Sequence, residues 1–107
     1  MNRRNNLQPD QRIVVHVDQN MKEIIPEFLQ NSREDVQVLL EALERNDYET
    51  IRRIGHGMKG ACGFGFNYLQ ELGSSLEQTA KAGNSADARR LINELAAYLE
   101  RVKPIYE

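Results

Sequence analysis

Midway along the chain, His56 is followed by Lys59 three residues later and by Gly60 four later, inside Ile54-Gly55-His56-Gly57-Met58-Lys59-Gly60. Imidazole has an unperturbed pKa of about 6.5, so its neutral form is available as a nucleophile near pH 7. Whether His56 acts as one depends on where the chain holds it. At about 100° per residue, a helix here gathers Ile51, Ile54, Met58, Ala61 and Cys62 on one side and turns His56 roughly 170° from its centre. Arg52, Arg53, Lys59, Gly60 and Gly63 share the outward side with it. A cation one turn along and bare backbone beside it set His56 apart from an ordinary surface histidine.

Gly55, Gly57, Gly60, Gly63 and Gly65 crowd into eleven residues. Each glycine inside a helix costs roughly 0.8–1 kcal/mol relative to alanine, so four of them cost on the order of 3–4 kcal/mol. Either the segment is not helical, or something approaches its backbone closely enough to offset the loss. The letters from Gly55 to Gly60 also spell G-x-G-x-x-G. A dinucleotide site needs a strand directly before that motif and a βαβ unit around it, whereas residues 47–54 have helical periodicity. Lys59-Gly60-Ala61 also lacks the Lys-Ser/Thr pair of a phosphate-binding loop. In the helical frame, Gly60 and Gly63 clear bulk from around the imidazole, so a partner could bring a reactive group to it. Gly55 and Gly57 flank the ring, and helix–helix packing explains Gly55 at least as well as access does.

These residues need a scaffold, and the chain offers a helical one. With 107 residues, 40% hydrophobic and 28% charged, it fits one soluble domain with a modest core. Met21, Ile24, Ile25, Phe28 and Leu29 repeat with helical period; Pro26 either kinks that helix or marks its first turn. Asn31-Ser32 is expected to interrupt, with Ser32 and Asp35 approximating a capping box. Val36, Leu39, Leu40 and Leu43 give a second helix, and Asp47 is a good N-cap for the third, which carries His56 and should stop near Phe64-Gly65. Leu69, Leu72, Leu76 and Ala80 line a fourth, ended by Gly83-Asn84. Ser85 can cap a fifth with Ala88, Leu91, Ile92, Leu95, Leu99 and Val102 inward, before Pro104. Short connections between such helices imply antiparallel neighbours. The expected fold is therefore all-α: an up-and-down antiparallel helical bundle, with a four-helix core plus an N-terminal helix. Residues 1–18 are expected as an N-terminal arm and residues 19–107 as the bundle. Within the arm, residues 1 to about 10 should fray, and Ile13-Val14-Val15-His16-Val17 should lie extended, since no second strand is evident to pair with it.

Several function classes are disfavoured. A net charge of −2 argues against broad nucleic-acid binding. No apolar run approaches the roughly 18 residues needed to span a bilayer, and Met1-Asn2-Arg3-Arg4-Asn5-Asn6 has no apolar stretch after it to make a secretory signal. Cys62 is the only cysteine, which excludes an internal disulfide and fits a reducing, cytoplasmic setting. With no obvious base on its own face, Cys62 is expected as a small core hydrophobe. His16 is expected on the surface, and no metal site is expected from His16, His56 and Cys62, because His56 and Cys62 occupy different helix faces.

The motif His56-Gly57-Met58-Lys59-Gly60 resembles the H-x-x-K-G of the histidine-containing phosphotransfer (HPt) domains. The likeness runs on through Gly65-Phe66-Asn67-Tyr68-Leu69-Gln70-Glu71-Leu72-Gly73-Ser74-Ser75-Leu76-Glu77, and residues 42–49 look like that family's turn into its histidine helix. One departure stands out: family members usually place the loop glycine ten residues after the histidine, and Gly65 comes nine after His56. The resemblance implies that His56 takes a phosphoryl group from a receiver-domain aspartyl-phosphate, or a kinase, and passes it to another receiver. Lys59 would offset charge on the phosphoryl oxygens, and Arg52 would add to this or steer the acidic partner. Gly60 and Gly63 would leave room for docking, with Phe64 at the contact. Glu77 would orient the ring, or else is a plain exposed charge. No cofactor is implied, since Mg²⁺ and the acidic pocket would come from the receiver. The expected partners are a response-regulator receiver domain, a hybrid histidine kinase, or both, met by a cytoplasmic monomer that works as a phosphoryl carrier without independent turnover. A start at methionine suggests a free-standing shuttle. The alternative is a docking or inhibitory module that binds a receiver or kinase without accepting phosphate. A kinase-dimerisation helix pair is disfavoured because no ATP-binding domain follows.

Overall fold

The computed structural model describes residues 12–107; the frayed segment expected at residues 1 to about 10 lies outside these, as does the side chain of Cys62. Four long helices, α1 (Ile25–Glu44), α2 (Tyr48–Met58), α3 (Asn67–Ala82) and α4 (Ser85–Arg101), carry most of it. Each packs on the next, α2 against α3 most extensively, and α1 returns to α4, which closes a four-helix bundle. The 3₁₀ segment Lys59–Phe64 continues α2, and a short 3₁₀ turn, Gln19–Met21, precedes α1.

The helix termini follow local chemistry. Asp47 accepts from the Thr50 amide at 3.2 Å and from its hydroxyl at 2.7 Å, which caps α2. The turn before it is made by Asn46 at φ 55°, a conformation asparagine tolerates better than most residues. Gly83, at φ 66°, ends α3, with its N–H on the Ala80 carbonyl and that of Asn84 on Thr79. Asn84 rather than Ser85 caps α4: its Oδ1 accepts from the Asp87 amide at 3.1 Å.

The two helices expected on either side of Asn31-Ser32 are one. Ser32 is buried in α1, and its hydroxyl donates to the Phe28 carbonyl at 3.1 Å. A serine that returns its hydrogen bond to the preceding turn stays within a helix instead of capping a new one. Pro26 takes the other of its two options and sits in the first turn of α1, where its missing N–H has no helical partner to lose.

The extended arm is also corrected. Ile13–Val17 forms β1 and pairs in parallel with β2 (Val102–Tyr106), Ile13 opposite Val102 and Val17 opposite Tyr106. Val102 therefore ends the α4 stripe with extended backbone, at φ −68° and ψ 135°. Pro104, two residues on, keeps Lys103 out of helical conformation as well. The pairing was hidden because a parallel partner can lie anywhere in the chain, and a proline inside a short apolar run weakens its strand signal.

Phe66, Ile25, Leu39, Ile51, Leu76 and Leu95 are among the side chains fully enclosed by the bundle. The rings of Phe64 and Phe66 lie 5.0 and 5.7 Å from that of Phe28, tying α1 to the segment after α2.

Candidate functional site

Two glycines set how closely α2 and α3 approach. A Cβ on Gly55 would lie 2.7 Å from the Gly73 carbonyl oxygen and 2.8 Å from the Glu77 amide nitrogen. One on Gly73 would lie 2.6 Å from the Met58 Cβ and 2.7 Å from the Gly55 carbonyl oxygen. The helices meet backbone to backbone beside His56, and close packing there offsets part of what helical glycine costs. That contact brings Glu77, one turn beyond Gly73, to the histidine.

His56 sits in the last turn of α2 with its side chain 64% exposed, and its Nδ1 is 3.1 Å from Glu77 Oε2. An ionised carboxylate only accepts hydrogen bonds, so Nδ1 carries a hydrogen, and in the neutral ring Nε2 keeps its lone pair. Glu77 itself is 5% exposed. Lys59 Nζ donates to its Oε1 at 2.9 Å, and Lys81 Nζ stands 3.9 Å from Oε2. The Lys59 hydrogen bond, followed by that from His56, holds the Glu77 carboxyl below its ordinary value of 4.5, against the opposing pull of burial. A buried anion clamped between two lysines thus orients an exposed imidazole.

His56, Lys59 and Glu77 come together as one cluster. Gly57, Gly60 and Gly63 open onto free space, with nothing within 4 Å of where a Cβ would stand. Arg52 turns away to Glu49, to which its Nε donates at 3.1 Å, and influences Glu77 only at longer range. Phe64 is half-buried, its ring edge-on to Phe28. Of Glu77's two readings, exposed charge is excluded by its burial. Lys81 and Gly73 were not singled out from the sequence. Their spacing from Glu77, four residues to either side, is the helical signal that places them on its face.

Among the described residues, no group of three or more His, Cys, Asp or Glu side chains could hold a metal ion. His16 is far in sequence from this cluster and pairs instead with Glu107, Nδ1 to Oε2 at 2.6 Å. Nor, among the described residues, is any helix long and apolar enough to cross a membrane.

A bundle of four helices with an oriented, solvent-facing histidine at the end of the second defines a class of histidine-presenting helical domains. The family model of the Hpt domain matches residues 23–104, and the chain belongs to that family. Hpt domains are phosphotransfer modules of two-component phosphorelays, where they meet receiver domains and kinases. Neither curated proteins nor solved structures gave a significant match to the chain.

The departure at Gly65 has a structural counterpart. The segment between His56 and Gly65 is largely 3₁₀, which rises about 2.0 Å per residue against about 1.5 Å in an α-helix. A stretch one residue shorter can therefore cover the same distance. Gly65, at φ 93°, then turns the chain into α3, and a Cβ added there would lie 3.3 Å from the His16 carbonyl oxygen.

Proposed function

We propose that this chain is a phosphorelay intermediate. His56 accepts a phosphoryl group from the aspartyl-phosphate of a receiver domain, or from a kinase, and delivers it to another receiver. The observation that carries this reading is the Nδ1–Glu77 hydrogen bond on a ring otherwise turned to solvent. It leaves Nε2 as the nucleophilic nitrogen, aimed outward where a partner can align in-line with it. Phosphoryl transfer asks chiefly for positioning and charge neutralisation. Lys59 stands one turn from His56 to offset charge on the phosphoryl oxygens, and Arg52, through its helix surface, steers the acidic receiver. Gly60 and Gly63 admit the receiver's loops, which bring the aspartate and Mg²⁺. The chain acts as a monomeric carrier in the cytoplasm. A purely docking or inhibitory bundle would have no use for a fixed imidazole tautomer beside a paired lysine.

The test is to mix the protein with a receiver domain phosphorylated on its aspartate and follow the label. An adduct stable in alkali and labile in acid is expected on the intact protein and none on His56→Gln. Equal labelling of that variant would remove His56 from the role.

A further inference from the structure

The strand pair does more than join the two ends of the fold. We infer that β1 and β2 form a latch that opens while the bundle stays folded, and that the segment carrying Lys59 and Gly60 opens with it.

The segment Lys59–Phe64 holds itself poorly. It runs for six residues as 3₁₀-helix, whereas runs longer than about three or four are uncommon because their hydrogen bonds are weaker than those of an α-helix. Gly60 and Gly63 lie inside it and Gly65 follows, all of low helical preference. Its support comes from outside. Ala61 is buried, the rings of Phe64 and Phe66 meet that of Phe28, and the Phe66 amide donates to the Ala61 carbonyl at 3.1 Å. β1 supplies a further contact: a Cβ at Gly65 would lie 3.3 Å from the His16 carbonyl oxygen.

The register fixes which way each strand residue faces. The Glu107 amide donates to the Val17 carbonyl at 2.9 Å, and the Gln19 amide to the Glu107 carbonyl at 3.0 Å. Successive residues alternate along a strand, so Ile13, Val15 and Val17 turn their N–H and C=O groups to β2. Val14 and His16 turn theirs away, and the outward His16 carbonyl is the one that meets the Gly65 turn. Pro104, opposite Val15, has the outward-facing parity of β2, where a missing N–H costs no ladder bond.

This sheet has two strands only, an arrangement marginal by itself. The inner face is tied to the core through Val17 and Val102. On the outer face the His16–Glu107 pair stands in solvent, where an ion pair contributes little. Small units of this kind open at a lower free energy than the whole domain. A partner that grips either strand is thereby coupled to the face around His56.

The test is native-state hydrogen exchange on the intact protein, read at the amides of Gln19, Glu107 and Phe66, and at Leu76 and Leu95 in the core. The first three should open together, at one free energy below that of Leu76 and Leu95. A unit that opens as one must feel a lesion anywhere in it. Val15→Pro, which removes a donor aimed at β2, should therefore quicken exchange at Phe66 about tenfold, the shift expected for one lost hydrogen bond. Gly65→Ala, at a left-handed φ, should in turn quicken Gln19 and Glu107 by about as much. Either lesion felt only on its own side of the Gly65–His16 contact overturns the inference. So does Phe66 opening only with Leu76 and Leu95, a comparison that stands even if neither variant folds.

Discussion

At His56 the two ring nitrogens live in different surroundings, and that asymmetry belongs to one carboxylate. Glu77 is nearly enclosed, yet its carboxyl is held below its ordinary value by the hydrogen bonds from Lys59 and His56, with Lys81 Nζ 3.9 Å away. Its depressed pKa carries a consequence for stability. The unfolded chain binds this proton at about the ordinary carboxylate value, more readily than the folded one. The stabilisation it confers is therefore present above pH 4.5 and is lost as pH falls through the lowered folded value. Asp47, bonded to Thr50, and Glu49, bonded to Arg52, are depressed as well and act with the same sign. Thermal unfolding followed from pH 7 to pH 3 should show Tm falling in acid. The gap between the protein and Glu77→Gln should be widest at neutral pH and close below 4.5. A gap independent of pH would mean that the carboxylate's charge is not what stabilises. Lys59→Ala should leave the fold intact but slow phosphoryl transfer or shorten the adduct's life, and no change in either would remove Lys59 from the charge-offsetting role.

The glycines of the α2 region divide at the scale of elements. Gly55 and Gly73 face each other across the α2–α3 crossing, where an added methyl has backbone atoms within 3 Å. Gly55→Ala should therefore force the helices apart, costing about 1–3 kcal/mol by the usual penalty of overpacking and lengthening the His56–Glu77 contact. Gly60 has open space instead. Gly60→Arg should fold normally and slow phosphoryl transfer by obstructing the receiver. Urea unfolding and transfer rates measured on both variants check this. Instability in Gly60→Arg, or full stability in Gly55→Ala, would reverse the assignments.

Across the whole molecule, the histidine end of the bundle is held from two directions. Phe66 is fully buried, against Phe28 of α1 and directly before α3. The strand pair joins the segment before α1 to the one after α4, and its β1 carbonyl at His16 lies against Gly65. Phe66→Ala should destabilise by about 3–5 kcal/mol, and denaturant unfolding measures it directly. A loss under about 0.5 kcal/mol, the range usual for surface changes, would mean the ring is not part of the core.

How much of this was readable beforehand varies by feature. The face of His56, the Asp47 cap, the Gly83 stop and the α3 stripe were all legible, because each depends on residues within a turn or two of one another. Helical period and capping chemistry are local, and the chain spells them out. The unbroken α1 was not legible, since Ser32 could end a helix or bond back into one, and its burial against neighbouring elements decided the matter. The β1–β2 pair was not legible because its strands stand at opposite ends of the described chain and no turn joins them.

The same division holds at the site. The order of residues alone fixed an outward imidazole with an ammonium one turn along and bare backbone at Gly60. Only the packed bundle set Glu77, 21 residues away in sequence, against the ring. Gly55 and Gly73 let two backbones touch, and that contact turned an ambiguous acidic residue into the partner of Nδ1. Distances across helices come from how side chains fill space between them, which no single stretch of sequence contains.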